Sequence, residues 1–296
     1  MNLYITRKLM DKLEVNLSPA ESIGELYSWR ANYIRENGFR FVVFMNDASR
    51  LTIVINEAKG NKLEKLPELF IAALRKTLLM LCFNPEVVDK YISDLGEITY
   101  AKNSDKTKIS WMKKRADIVC QVLGTATDDV ELSVYVNGMA SGSYSNSGEY
   151  IPKERFSDLL EIYGLPVRIF RAIDLSVFLH LDGKDAVRQI RVPEHISFGR
   201  LHKVLQTAFE WKGHHLYSFG LFKEWGESGS EKPDIRLVAD TKGAASSHGV
   251  ELVNGKFLSD YVSEYRKILY IYDFGNEWRH YIEVENIIED CEVDVV

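Results

Sequence analysis

The chain has 296 residues, of which 46% are hydrophobic and 27% are charged, the balance of an ordinary globular protein. That length suits two modest domains better than one. The formal net charge of −6 gives no general reason to expect binding to nucleic acid or to an anionic membrane.

The cysteines and the first residues of the chain bear on its cellular compartment. Cys82, Cys120 and Cys291 are odd in number and far apart, so they form no CxxC motif and no disulfide framework. Such usage fits a reducing cytoplasm. The first residues lack the apolar core of a signal peptide, and no run approaches about 18 apolar residues. The sequence predicts a soluble, cytoplasmic protein that does not enter a membrane.

The first 123 residues predict an antiparallel meander followed by three helices. Short alternating runs predict strands at 2–6, 27–36, 41–45 and 51–55, with a hairpin signal at Asn37-Gly38. Helices are predicted from about residue 65, from Asn84-Pro85 to a stop at Gly96, and roughly over 108–123. We interpret residues 1–123 as an α+β domain.

This first part resembles a known family. The resemblance rests on LYITRKLMDKL, LYSWRAN, FVVFMNDASRLTIVI and GEITYAK. They are similar to an uncharacterised bacterial domain family over roughly residues 1–123. The resemblance implies a fold unit and no particular activity.

Residues 124–168 differ in composition and predict a connector. Val130–Asn137 is interpreted as a strand, and Ile151–Tyr163 as a short helix. Between them, NGMASGSYSNSGEY is rich in Gly and Ser, which predicts a mobile segment.

Residues 169–296 predict a second α+β domain with a mixed sheet that ends in a β-hairpin. Paired strands are expected over 174–181 and 187–192, and a helix capped by Ser197 carries a regular apolar stripe. A strand over His215–Phe222, a polar excursion at 224–255 and a helical turn at 257–262 precede the hairpin.

The hairpin is the strongest structural signal in the chain. The runs Lys267–Phe274 and Glu277–Glu285 flank Gly275-Asn276, and a Gly-first two-residue loop predicts a type II′ turn. In that register Asp273 faces Trp278, Ile271 faces His280, and Leu269 faces Ile282. These six residues share one face of the hairpin. Asp273 and His280 become diagonal neighbours about 7–8 Å apart. The other face carries Tyr270, Tyr272, Arg279 and Tyr281.

These motifs carry the second resemblance. FGRLHKVLQTAFEWKGHHLYSFGLF, KFLSDYV and YIYDFGNEWRHYIEVE resemble the plasmid pRiA ORF-3-like family over about residues 169–290. Members are sometimes labelled transposon-passenger (TnpR-type) proteins, which implies a mobile-element context. The family usually has Asp at the position of Asn276, and this chain shows no resolvase-type catalytic serine motif.

The histidines raise the possibility of a metal or binding site. All seven lie in the second domain, and imidazole with carboxylate suits borderline divalent ions. The sequence has no HExxH or paired-cysteine motif, so no motif spacing predicts that His214, His215, His280 and Asp273 converge on one metal ion. We favour His215 and His280 as hydrogen-bonded core histidines around Trp211 and Trp278, and expect no metal. The residues assigned to binding are Trp211, His214, His215, Trp278 and Arg279.

Asp273 and His280 are also the candidates for catalysis, as the orienting carboxylate and the base of a nucleophilic or hydrolytic site. Ser218 and Ser259 are possible third members by residue type alone. The structural alternative is that Asp273 accepts backbone N–H bonds at the turn. The absence of a Walker loop or a G-x-G-x-x-G after a strand predicts no nucleotide cofactor.

One local basic run suggests contact with nucleic acid. Lysines at 102 and 106 precede the candidates Lys108, Trp111, Lys113, Lys114 and Arg115. The cations could contact phosphates and the tryptophan could stack on a base, although such a run also suits a solvated helix face.

Three hypotheses about function remain open. The first, which we favour, is a non-enzymatic binding or adaptor protein, because no catalytic set is complete. The second is a nucleic-acid-associated accessory protein of mobile elements. The third is a small metal-dependent or acid–base hydrolase. The partner, protein or nucleic acid, is left open by the sequence.

Overall fold

The computed structural model describes residues 1–36, 38–56, 60–123, 128–140, 150–181, 184–225, 232–239 and 250–289. Three features of the sequence lie outside the described residues: Asn37 of the predicted hairpin turn, most of the predicted mobile Gly/Ser run, and Cys291. The chain divides into two compact units, Met1–Arg168 and Ile169–Val296. Each unit combines helices with its own sheet, so the predicted α+β class is confirmed.

The first unit is built on a five-stranded sheet with the strand order β4-β3-β2-β1-β5. Its described elements are β1 (Asn2–Ile5), α1 (Arg7–Leu13), β2 (Ser28–Glu36), β3 (Phe39–Asn46), β4 (Thr52–Asn56), α2 (Asn61–Glu64), α3 (Leu66–Met80), α4 (Pro85–Leu95), β5 (Thr99–Lys102), α5 (Lys106–Val122), α6 (Asp129–Gly138) and α7 (Pro152–Leu160). The predicted antiparallel meander is formed by β2, β3 and β4. Strand β1 lies parallel to both β2 and β5.

Helices cover both faces of this sheet. Successive side chains of a strand point to opposite faces, so each strand contributes side chains to both layers of helices. On one face, Trp29 and Phe44 pack against Phe70 of α3, with ring centroids 5.0 and 4.4 Å apart. On the other face, Val43 of β3 and Val54 of β4 pack in one cluster with side chains of α5 and α6. The sheet is therefore a buried middle layer.

The strand predicted over Val130–Asn137 is wrong, since this segment forms most of α6. Asp128 starts the helix by accepting the backbone N–H groups of the second and third residues after it, as an N-cap does. Three side chains of α6, each four residues from the next, then accept alternate backbone N–H groups of β4. Thr52 donates to Asn137 at 2.8 Å, Val54 to Ser133 at 3.0 Å, and Asn56 to Asp129 at 2.9 Å. Four helical residues rise about 6 Å and two strand residues span roughly 6.6 Å, so the two spacings nearly agree and α6 covers this sheet edge.

The second unit has a seven-stranded sheet in the order β10-β9-β8-β11-β12-β6-β7. Its described elements are β6 (Ala172–Leu181), β7 (Lys184–Pro193), α8 (Phe198–Ala208), β8 (Tyr217–Phe222), β9 (Ile235–Val238), β10 (Val250–Leu252), a 3-10 turn (Leu258–Asp260), β11 (Lys267–Tyr272) and β12 (Trp278–Ile288). Strands β9 and β10 lie within the predicted polar excursion and are parallel to each other.

Helix α8 packs on one face of the sheet, as its apolar stripe predicts. Leu201 and Leu205 of α8 join a buried cluster with Ile268 and Tyr270 of β11 and Ile282 of β12. Ser197 accepts the backbone N–H of Arg200 at 3.2 Å, which confirms the predicted cap.

The predicted hairpin forms, but its predicted register and turn type are wrong. Tyr272 faces Trp278, Tyr270 faces His280, and Ile268 faces Ile282, so the five residues 273–277 join the strands. Because side chains alternate, this slip of one residue puts Tyr270 and Tyr272 on the same buried face as His280 and Ile282, where the predicted register had Leu269, Ile271 and Asp273.

The physical reason for the slip lies at Asp273. This residue takes a left-handed conformation with φ 58, which Asp tolerates better than most residues. Its carbonyl oxygen accepts the N–H groups of Asn276 and Glu277, and its carboxylate accepts from Gly275 N at 3.1 Å. A five-residue loop organised by Asp273 therefore replaces the two-residue turn predicted at Gly275-Asn276.

Candidate functional site

Tyr270 lies at the centre of a polar network beneath α8. Its hydroxyl oxygen is 2.7 Å from Nδ1 of His202 and accepts from Nε2 of Gln206 at 2.8 Å. Oε1 of Gln206 in turn accepts the N–H of Gly213 at 2.8 Å. The network therefore ties α8 and β11 to the loop that follows the helix. Burial lowers the pKa of His202 to about 4 and raises that of Tyr270, so both are neutral at pH 7.

His280 is fully buried and makes hydrogen bonds typical of a structural histidine. Trp211 Nε1 donates to its Nε2 at 3.4 Å, which leaves Nδ1 to donate to the Trp278 carbonyl oxygen at 3.1 Å. Burial lowers the pKa of His280 to about 4. His280 is thus a neutral core histidine held by the two tryptophans. His215, interpreted from the sequence as a second core histidine, is 56% exposed at its side chain.

Asp273 organises the hairpin loop and does not reach His280. Its Oδ2 accepts from Nδ2 of Asn276 at 2.8 Å, and its Oδ1 lies 3.8 Å from Nδ1 of His215. The hydrogen bond from the Asn276 side chain, followed by that from the Gly275 N–H, lowers the pKa of Asp273. In the described part of the chain no hydrogen bond joins Asp273 to His280. The proposed orienting carboxylate is therefore not in contact with the proposed base.

The two serines considered as third members also lie apart from His280. Ser218 is buried in β8, and Ser259 binds His195 at 2.8 Å. Across the described ranges, no group of three or more His, Cys, Asp or Glu side chains is placed to hold a metal ion.

The loops at the hairpin end of the sheet expose apolar side chains. Leu216 is 51% exposed and Phe274 is 43% exposed, and the N–H of Asp273 donates to the Leu216 carbonyl at 3.0 Å, which brings the two loops together. Trp211 lies on the loop that leads to Leu216, and Trp278 is the first residue of β12 after the hairpin loop. Both are half-buried, and their ring centroids are 5.0 Å apart. We call Trp211, Leu216, Phe274 and Trp278 the hairpin-end surface.

Polar residues flank the hairpin-end surface along the chain. His214 has an exposed side chain, and its backbone N–H donates to Oη of Tyr272 at 3.1 Å. Arg279 pairs with Glu277 at 2.6 Å. The residues assigned to binding from the sequence thus lie at this end of the unit. Leu216 and Phe274 were missed, since the exposure of an apolar residue depends on packing.

The predicted basic run is divided between the surface and internal contacts. Nζ of Lys108 lies 2.6 Å from a Glu25 carboxylate oxygen and 2.9 Å from one of Asp47. The guanidinium of Arg50 stacks 4.1 Å from the Trp111 ring. Lys102, Lys106, Lys113 and Lys114 are exposed.

Arg115, the last residue of that run, belongs to the core. It is fully buried and donates to Oγ1 of Thr52 at 2.8 Å and to the Val136 carbonyl oxygen at 2.7 Å. Burial lowers the pKa of Arg115 to about 10. Its role is to join α5 to β4 and α6, and it does not contact solvent.

Two family comparisons confirm the resemblances drawn from the sequence motifs. Residues 2–154 match the family described as Domain of unknown function (DUF6933). Residues 171–295 match the family described as Plasmid pRiA4b ORF-3-like protein. Within the described ranges, no helix is both long and apolar enough to cross a membrane.

Individual relatives have been found for parts of the chain. Uncharacterized protein y4hQ of Sinorhizobium fredii (strain NBRC 101917 / NGR234) is 27% identical over 107 residues, which are 33% of this chain and 45% of that protein. The crystal structure of the protein of unknown function MM3350 from Methanosarcina mazei Go1 aligns at 25% identity with a TM-score of 0.34, covering 43% of this chain and 65% of the other. Each match spans less than two thirds of the relative, and neither name states an activity.

Proposed function

The chain belongs to the family Domain of unknown function (DUF6933), and we propose that it is a binding or adaptor protein whose partner contacts the hairpin-end surface. One observation carries this proposal: Leu216 and Phe274 are exposed on two loops that a backbone hydrogen bond joins, and the same two loops lead to the half-buried Trp211 and Trp278. Apolar side chains scattered singly over a surface need no explanation, whereas a cluster of them marks an interaction site.

The composition of this surface suits a protein partner. Binding energy in protein interfaces concentrates in a few large side chains, with Trp enriched, inside a polar rim. Trp211 and Trp278 supply such anchors, and Glu277 with Arg279 supplies a rim of mixed charge. Mixed charge gives no preference for a polyanion such as nucleic acid.

The surface is also held in place before a partner arrives. Asp273 pins the hairpin loop through its bonds to Gly275 and Asn276. Trp211 is fixed by its bond to the buried His280. Fewer side chains must then be ordered on association, which lowers the entropic cost of binding.

Site-specific photocrosslinking tests this proposal. We expect p-benzoylphenylalanine at position 274 of the full chain to give one discrete crosslinked protein in host lysate. The same group at position 187 should not, although Val187 is 52% exposed in the same unit. Adding Leu216→Ser should weaken the crosslink from position 274.

Two outcomes would contradict the proposal. One is an identical crosslinking pattern from positions 274 and 187. The other is a crosslink from position 274 to nucleic acid alone, which would support the accessory-protein hypothesis instead.

A further inference from the structure

A second cluster of reactive side chains lies just before α8, apart from the hairpin-end surface. The turn after β7 and the 3-10 turn Leu258–Asp260 are joined by backbone hydrogen bonds. Leu258 N donates to Ile196 O at 2.9 Å, and Phe198 N donates to Lys256 O at 3.0 Å. These bonds hold the two turns in fixed positions, so the side chains they carry face each other.

Three of these side chains form a line. Oγ of Ser259 is 2.8 Å from Nδ1 of His195. On the other side of the ring, Nε2 of His195 is 3.6 Å from Oε2 of Glu194. A hydroxyl, an imidazole and a carboxylate in this order are the groups of an activated serine.

The position of the proton follows from the neighbours of the ring. Glu194 can only accept a hydrogen bond when ionised, so its carboxylate favours the tautomer of His195 with the proton on Nε2. Nδ1 is then free to accept the proton of the Ser259 hydroxyl. Burial lowers the pKa of His195, which keeps the ring neutral and able to act as a base at pH 7.

Glu194 can accept a hydrogen bond from the protonated Nε2 of His195. Glu194 is buried, and among the described residues its Oε2 has no hydrogen-bond partner, although Arg171 NH1 lies 3.3 Å away. A small approach of the His195 ring on protonation would satisfy this atom. His195 is 21% exposed at its side chain and Ser259 is half-buried, so both side chains are partly open to solvent.

We propose that Ser259 is a nucleophile with His195 as its general base and Glu194 as a positioning residue, forming an acyl-transfer site for small activated carboxylic esters. Oγ of Ser259 bonds to the ester carbonyl carbon while its proton moves to Nδ1 of His195. The bond from that carbon to the alcohol oxygen then breaks, and His195 returns the proton to the leaving alcohol. Water, deprotonated by His195, releases the carboxylic acid and restores Ser259.

Covalent labelling of the full chain with a fluorophosphonate probe tests this site without a known substrate. The Ser259 oxygen displaces fluoride from phosphorus, and the proton passes to His195. We expect mass spectrometry to place the label on Ser259 in folded protein and to find none on the urea-unfolded chain. His195→Gln should slow labelling by about 10²-fold or more, the usual contribution of a general base.

Matched variants separate a reactive serine from a structural one. Ser259→Ala should abolish labelling, while Ser176→Ala, on β6 with only Gln189 bonded to its hydroxyl among the described residues, should leave it unchanged. Absence of label on Ser259, or equal rates in wild type and a folded His195→Gln variant, would overturn the proposal. Thermal unfolding of each variant establishes that it is folded.

The role of Glu194 is tested by the pH dependence of labelling. The carboxylates of Glu194 and Asp260 favour the protonated ring of His195, and Arg171 opposes it. Glu194→Gln should therefore move the midpoint of the labelling profile to lower pH. A midpoint unchanged from that of the wild type would show that the Glu194 carboxylate does not act on His195 and would contradict its positioning role.

Discussion

Tyr270→Ala is expected to destabilise the second unit by about 3–5 kcal/mol, the cost of removing a large buried aromatic side chain. The Tyr270 ring is fully buried against Phe219 and His280, with centroids 4.9 and 5.1 Å away. Its loss also removes the hydroxyl that binds His202 and Gln206, and a buried polar group without a partner adds to the cost. Hydrogen exchange of peptides from β11 and β12 under increasing urea measures this unit separately from the first.

Leu269→Ala is the matched control, because Leu269 is the neighbouring residue on the opposite, partly exposed face of β11. It should cost much less than Tyr270→Ala. The register that Gly275-Asn276 predicts would exchange the two residues, since it places Leu269 on the face of His280 and Ile282 and Tyr270 on the opposite face. A larger loss for Leu269→Ala would therefore contradict the observed register.

Lowering the pH from 7 to 4 is expected to destabilise the second unit by roughly 3 kcal/mol through His280 alone. The pKa of His280 is about 4 in the folded unit, against an ordinary value of 6.5. As the pH falls through this window, the unfolded chain binds a proton that the folded one cannot. The stability is thus complete above pH 6.5 and is lost toward pH 4. His202 acts in the same direction, because burial also lowers its pKa to about 4.

The pH effect is checked by urea unfolding of the second unit between pH 7 and pH 4. His280→Gln should reduce the dependence on pH, although the variant itself is less stable at pH 7 because it alters the bonds to Trp211 and Trp278. His180→Gln, at an exposed position on β6, should leave the dependence as in the wild type. An unchanged pH dependence in His280→Gln would show that this histidine is not buried in its neutral form.

The elements with strong local signals could be predicted from the sequence. Helix α8 has a regular apolar stripe and a serine cap at Ser197, so both its face and its start follow from the residues alone. The hairpin was also evident, but its register depends on whether Asp273 or Gly275 takes the left-handed position. That choice is decided by the hydrogen bonds of Asp273, and a pattern of apolar residues cannot reveal it.

Helix α6 shows a different limit of prediction. Its β-branched residues, including Val130 and Val136, favour a strand by local propensity. The helix is stabilised instead by tertiary bonds from Asp129, Ser133 and Asn137 to β4. Such long-range pairing overrides propensity and leaves no mark in a local window.

The candidate site divides in the same way. Trp211 and Trp278 could be identified because they belong to a motif, and the structure places their rings together. The exposure of Leu216 and Phe274 follows only from the path of the loops. Arg115 looked like a surface cation because its neighbours in the sequence are lysines, yet its position on α5 turns it toward the core.

The affinity of the photocrosslinked partner for surface variants tests the proposed binding function most directly. With full-length protein, the double variant Leu216→Ser/Phe274→Ser should raise Kd by about 10-fold or more, since losing one central apolar contact costs over about 1 kcal/mol. Val187→Ser, which removes an equally exposed apolar side chain of the same unit, should leave Kd unchanged. A double variant that is folded and binds the partner as tightly as the wild type would contradict the hairpin-end surface as the binding site.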